Sequence, residues 1–265
     1  MDWNKIKTIF IITFLILDIF LLVQFLQKRN DSQVELMTET SVEEQLEADK
    51  ITYVDLPKEQ IKETYISGKS RVFKEADLKG LRDQTASLSN TNTMLYAKLK
   101  EPISVPKSDR GYFFEEFLRT YVLDGPKYKY WRIEQKEGKI YFFQQYKGKN
   151  IFHNEYAQIQ MNLNDHDEIV SYTQTMLTDI TELGGKDKAQ NIITAIKALE
   201  ALYLKNNLKS GDRVTKVELG YYTVVPYSAG IQVIAPTWHF VVNGKDDYFI
   251  NAVEGQIIKM DKDNS

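Results

Sequence analysis

"PTWHFVVNGKDDYFINAVEGQII", running from Pro236 to Ile258, carries the plainest structural signal in the chain. Trp238, Phe240 and Val242 alternate with His239 and Val241, the period of a strand with one face on a core. Asn243-Gly244 follows, and both residues tolerate the positive φ of a type I′ hairpin turn. Strands are expected to return over Asp247 to Ala252 and Gln256 to Met260, and to precede the stretch over Arg213 to Val225 and Ile231 to Val242. Upstream, Asp187 with Gln190 resembles a capping box, and Ala189, Ile192, Ile193, Ile196, Leu199 and Tyr203 share one helical face. Trp238, Phe240 and Val242 are expected to face that helix. His239, on the opposite side of the strand, is expected at the surface or a sheet edge.

The same element order occurs once before. Asp109 can cap a helix carrying Phe113, Phe114, Phe117, Leu118 and Tyr121, which Gly125-Pro126 stops. Strands are expected at Tyr128 to Gln135, Lys139 to Tyr146, Glu155 to Leu163 and Glu168 to Thr178, with turns at Glu137-Gly138 and Asn164 to Asp167. Further upstream lie short strands at Thr52 to Val54, Glu63 to Ser67, Ser70 to Lys74 and Met94 to Leu99. Gly68-Lys69 can turn a hairpin there, "SLSNTNT" from Ser87 reads as a polar loop, and the prolines of "EPISVP" disfavour a central strand.

Ile9 to Leu26 is different in kind: 15 of its 18 residues are Ile, Leu, Phe or Val. As a helix it spans roughly 27 Å, close to the ~30 Å of a hydrocarbon core, and Lys7 and Lys28 can snorkel at its ends. The run is too long for a signal peptide, and no small-residue cleavage site follows it. Asp18 sits at its centre. The apolar residues contribute roughly −4 to −9 kcal/mol to insertion, against about +2.5 to +3.5 for one aspartate, so the helix inserts with a residual cost. Ile11, Phe14, Asp18, Leu21, Leu22 and Phe25 form one stripe, which is expected to meet another transmembrane helix able to satisfy the carboxyl group. A protonated aspartate facing lipid is the plainer alternative.

The expected architecture is therefore α+β: a single N-terminal transmembrane helix and an extracytoplasmic domain of two helix-plus-antiparallel-sheet units. The divisions are a cytoplasmic tail (1–8), the transmembrane helix (9–27), a polar linker (28–50), a first unit with its preceding strands (51–182) and a second unit (183–265). In the linker, Val42 and Leu46 can line a short helix, or the segment is a solvated stalk.

Composition narrows the chemistry. The 265 residues carry a net charge of −3 with no basic stripe, which argues against a nucleic-acid partner. Absent cysteine removes disulfides and thiolate chemistry. The three histidines, His153, His166 and His239, lack metal-ligand spacing, and no nucleotide-binding, nucleophile-elbow or zinc-protease motif occurs. No cofactor is expected, and no enzyme.

The opening "MDWNKIKTIFIITFLILDIFLL", with "YFFQQYKGKNIFHNEYAQIQMNLNDHDEIVSYTQ" and the terminal stretch quoted first, resembles the YycI (WalI) family of bacterial membrane regulators. The terminal stretch is also similar to the PepSY-like α+β module. The first resemblance implies a non-enzymatic accessory protein that acts with a YycH-like sister protein. Together they modulate a WalK-type sensor histidine kinase governing cell-wall metabolism. The second implies, as the alternative, an extracytoplasmic peptidase inhibitor or chaperone.

Overall fold

The computed structural model describes residues 3–185, 189–225 and 230–258, with backbone alone at 4–6, 9, 23–41, 224 and 225. In chain order the elements are α1 (Trp3–Ala48), β1 (Thr52–Tyr53), β2 (Lys62–Glu63), β3 (Ile66–Ser70), α2 (Glu75–Leu78), β4 (Gln84–Leu88), β5 (Leu95–Ser104) and α3 (Arg110–Tyr121). Then come β6 (Tyr128–Glu134), β7 (Lys139–Tyr146), β8 (Lys149–Phe152), β9 (Gln158–Leu163), β10 (Glu168–Gln174), β11 (Leu177–Glu182) and β12 (Gln190–Asn191). The last are α4 (Ala195–Leu204), β13 (Arg213–Val225), β14 (Ile231–Val242), β15 (Asp246–Asn251) and β16 (Ile257–Ile258). The fold is mixed α+β and dominated by sheet. It divides into two compact units, Met1–Thr52 with Tyr203–Asp212, and Tyr53–Leu202 with Arg213–Ser265.

In the smaller unit, α1 is a continuous helix of 46 residues, about 69 Å at 1.5 Å per residue. It ends on a Schellman motif built on lysine instead of glycine. Lys50 takes φ 56°, its N–H bonds to Glu47 O, and Ile51 N–H bonds to Leu46 O. Val42 and Leu46, four residues apart, are both buried. Asp49 fixes this end to the 203–212 segment: its carboxylate accepts Tyr203 Oη (2.7 Å) and its carbonyl accepts Ser210 Oγ and Gly211 N (2.9 Å each).

The larger unit holds one connected sheet path, β11-β3-β14-β13-β8-β7-β9-β10-β5-β4. The pairings named along it are antiparallel except β13 with β8. β14 is the organising strand of one half. One edge pairs with β13 over nearly its whole length. On the other edge it meets β3 over Ile231 to Ile234 and β15 over Thr237 to Val242. Pro236, which has no N–H to give, sits between those two partners. Asn243 (φ 54°) and Gly244 (φ 72°) turn β14 into β15 as the dipeptide requires. In the other half, Phe114, Phe117 and Leu118 of α3 pack on Leu95, Ile140, Phe142, Ile159, Met161 and Tyr172 from β5, β7, β9 and β10.

Several expectations need correction. Gly68-Lys69 makes no turn: β3 runs through it. A Cβ on Gly68 would lie 3.3 Å from Leu177 Cβ and Ile180 Cγ1, so this glycine serves strand approach. Ser70 to Lys74 is not a strand beyond Ser70, and Gln84–Leu88, partly assigned to a loop, is β4. Pro102 does lie inside a strand. β5 tolerates it because β4 pairs only as far as Leu99 and the register with β10 shifts between Ile169 and Ser171.

The helix expected from Asp187 begins instead at Ala195, with Thr194 O accepting the first bond from Ala198 N. Gln190 and Asn191 pair with Glu63 and Lys62, while Ile192 and Ile193 bond to Ile61 and Ala252, so β-branched residues take extended backbone there. Asp187 lies outside the described residues, as does Met260 at the end of the last expected strand. Gly125 does follow α3, but for space: a Cβ there would lie 1.9 Å from Leu118 O.

Candidate functional site

Two places stand out. On α1, every described side chain from Phe10 to Leu22 is exposed. Ile11 (66%), Phe14 (51%), Leu21 (51%) and Leu22 (55%) flank the equally exposed Asp18. The Phe25 side chain lies outside the described residues. Among the described residues no helix is long and apolar enough to cross a membrane. The side chains described in this apolar part cover about 20 Å of helix against the ~30 Å of a hydrocarbon core.

The second place was not foreseen. His239 is fully buried, which corrects the expected surface or edge position. Its Nδ1 lies 3.0 Å from Glu218 Oε1 and its Nε2 2.7 Å from Asp247 Oδ1. Carboxylate oxygens only accept, so two such contacts call for a proton on each ring nitrogen and a cation between two anions. Local register builds this. His239 pairs with Glu218 across β13 and with Phe249 across β15, and Asp247 lies one diagonal step away on the same face.

The cover comes from the other half of the sheet. β6 and β7 slip register between Tyr130 and Arg132, a bulge at Trp131. Trp131 approaches the His239 ring at 4.8 Å, and Arg132 Nη1 bonds Asp247 Oδ2 at 2.7 Å. Phe249 stacks on His239 (4.7 Å, 16°), and Phe152 of β8 closes the box at 5.1 Å. Lys216 supports Glu218 at 2.8 Å. Burial would raise both carboxyl groups. The hydrogen bonds from His239 outweigh it, with Lys216 beside Glu218 and Arg132 beside Asp247, and both are held below their ordinary values.

His153 borders the same box, with Phe143, Phe249 and Tyr222 around its ring (5.2, 5.3 and 6.0 Å). Its Nε2 and Trp131 Nε1 are buried without hydrogen-bond partners. Burial, then the Arg132 charge, push His153 down to about 4. His166 is exposed in the β9–β10 turn, where Asn164 Oδ1 accepts from His166 N and Glu168 N. Among the described residues no group of three or more His, Asp or Glu side chains is arranged to hold a metal ion.

With both nitrogens of His239 facing carboxylates, neither is left to activate a nucleophile. The cluster runs from the buried His239 and nearly buried Asp247 to the partly exposed Glu218, Lys216 and Arg132. The YycI protein family model matches residues 29–253. The chain belongs to the YycI family. That family is one of regulatory proteins in two-component signalling, not of enzymes. No curated protein matches this YycI-family chain.

Among solved structures the chain is similar to an uncharacterized protein from Eubacterium rectale ATCC 33656, at 11% identity over 80% of this chain and 89% of that one (TM-score 0.41). It is also similar to YycH from Bacillus subtilis, at 12% identity over 77% of this chain and 52% of that one (TM-score 0.40). A third is the YpeB C-terminal domain from Bacillus megaterium, at 14% identity over 72% and 88% (TM-score 0.34).

Proposed function

We propose that this chain is a membrane-anchored regulator that modulates a WalK-type sensor histidine kinase together with a YycH-like sister protein. Residues 9–27 form the single transmembrane helix, residues 1–8 are cytoplasmic and the remainder lies outside the cell. The observation that carries the regulatory reading is the family match over residues 29–253. The exposed apolar side chains from Phe10 to Leu22, with one carboxyl group among them, support the anchor and a contact within it. To regulate, the chain must bind two kinase states with different free energies, so its effect is capped by that difference.

Asp18→Leu tests the contact. It makes the segment more apolar, so insertion is retained, and it removes only the polar group offered to a neighbour. An interhelical hydrogen bond is worth about 0.6–2 kcal/mol, so recovery of the kinase and sister protein with the purified chain should weaken about 3- to 30-fold. Undiminished co-purification at equal expression would refute the Asp18 contact.

A further inference from the structure

The two halves of the sheet are joined in the strand path at β8. That strand pairs with β7 through Gln145–Asn150 and Tyr146–Lys149, and with β13 through only Tyr221–Ile151 and Tyr222–Phe152. Asn154 Nδ2 adds a 2.7 Å bond to Thr223 Oγ1 just beyond. The join is tight: a Cβ on Gly220 would lie 2.2 Å from Phe152 Cε2 and 2.7 Å from Asn150 O. Two of the chain's three histidines stand at this short joint. One of them, His153, directly follows β8 in the left-handed region (φ 46°), with Nε2 buried and unpartnered.

We propose that the β8–β13 junction is an acid-sensitive hinge, loosened when His153 takes up a proton. The charged and titratable groups facing His153 come from four strands: Arg132 of β6, Tyr222 of β13, His239 of β14 and Asp247 of β15. Asp247 is already engaged by Arg132 Nη1 and His239 Nε2. An imidazolium at His153 therefore forms in an aromatic box beside an arginine, its Nε2 without a hydrogen-bond partner among the described residues. Lifting β8 from β13 frees His153 and leaves His239 its two carboxylates, which come from β13 and β15 adjoining its own strand.

The sign follows from linkage. Opened, His153 titrates near its ordinary 6.5; closed, near 4. Between those values the open form binds the proton and the closed form does not, so acid favours opening. From pH 7.5 to 5.5 the opening equilibrium should rise about tenfold. Glu218 and Asp247, held below 4.5 and 3.8, do not titrate in that window.

The test is amide hydrogen exchange on the full-length chain in detergent at pH 7.5 and 5.5, corrected for intrinsic rates. Protection at 151–154 and 221–223 should fall about tenfold, while β5 and β10 keep theirs. In His153→Asn, which tolerates the left-handed backbone and cannot titrate, the acid-dependent loss should vanish. The proposal is overturned if protection at the junction does not change with pH, if the loss is uniform across the sheet, or if the variant loses protection as the wild type does.

Discussion

Replacing His239 with leucine should destabilise the fold by about 3–5 kcal/mol at pH 7, because it removes the shared cation from between two carboxylates. The volume stays similar, so the loss is electrostatic, and it falls mainly on the nearly buried Asp247, since the Glu218 side chain is 26% exposed. Asp247 keeps Arg132 and Glu218 keeps Lys216, but each carboxylate loses a bond to the buried imidazole, of 2.7 and 3.0 Å respectively. The pH dependence identifies the cause. In the wild type both carboxyl groups are held below their ordinary values, so their contribution is complete above about pH 4.5 and is lost as pH falls. The variant lacks that contribution, so its deficit should be smaller at about pH 3.5 than at pH 7, with the change falling below about pH 4.5. Urea unfolding at both pH values measures this. A deficit under about 1 kcal/mol, or one that does not change with pH, would mean that the cluster is not an ionic triad.

The second large effect is expected at Trp238, on the other face of the same strand. Trp238 is 1% exposed, and its Nε1 donates to Ile193 O at 2.8 Å, holding the extended segment just before α4 against β14. Trp238→Ala should cost about 3–5 kcal/mol through lost burial and the cavity left behind. Trp238→Phe should cost less in volume yet leave Ile193 O without its donor, adding about 1–3 kcal/mol if that carbonyl becomes dry. The two variants thus separate packing from the hydrogen bond. If alanine unfolds in urea at the wild-type midpoint, Trp238 is not an anchor of the core.

The contrast between these two neighbouring residues shows what the chain makes legible. The Trp238, Phe240, Val242 alternation and the Asn243-Gly244 turn are local signals, and β14, β15 and the turn between them occur where they predict. The same register already puts Asp247 on the His239 face, so half of the charged cluster was readable. The burial was not. It depends on a bulge at Trp131 and on β8, whose β13 partners Tyr221 and Tyr222 are some 70 residues away in sequence. Four residues ending in "NIF" give too short a pattern to distinguish a strand from a loop. Gln190 and Asn191 misled for a related reason: a capping pattern with apolar residues at helical spacing fits a helix, but pairing with Lys62 and Glu63 wins. For the α1 stripe, the spacing of Ile11, Phe14, Asp18, Leu21 and Leu22 makes the face and its carboxyl group legible, and the partner proposed for it is not written in this chain.

Under the proposed function, the chain regulates by contact through a membrane segment at residues 9–27 as well as through the domain that follows it. The most direct measurement exchanges residues 9–27 for an unrelated plain transmembrane helix and compares kinase association and reporter output with those of the intact chain. Loss of both, with hydrogen exchange in the outer domain unchanged, is the predicted result. Full association and full signalling from the exchanged chain would contradict it.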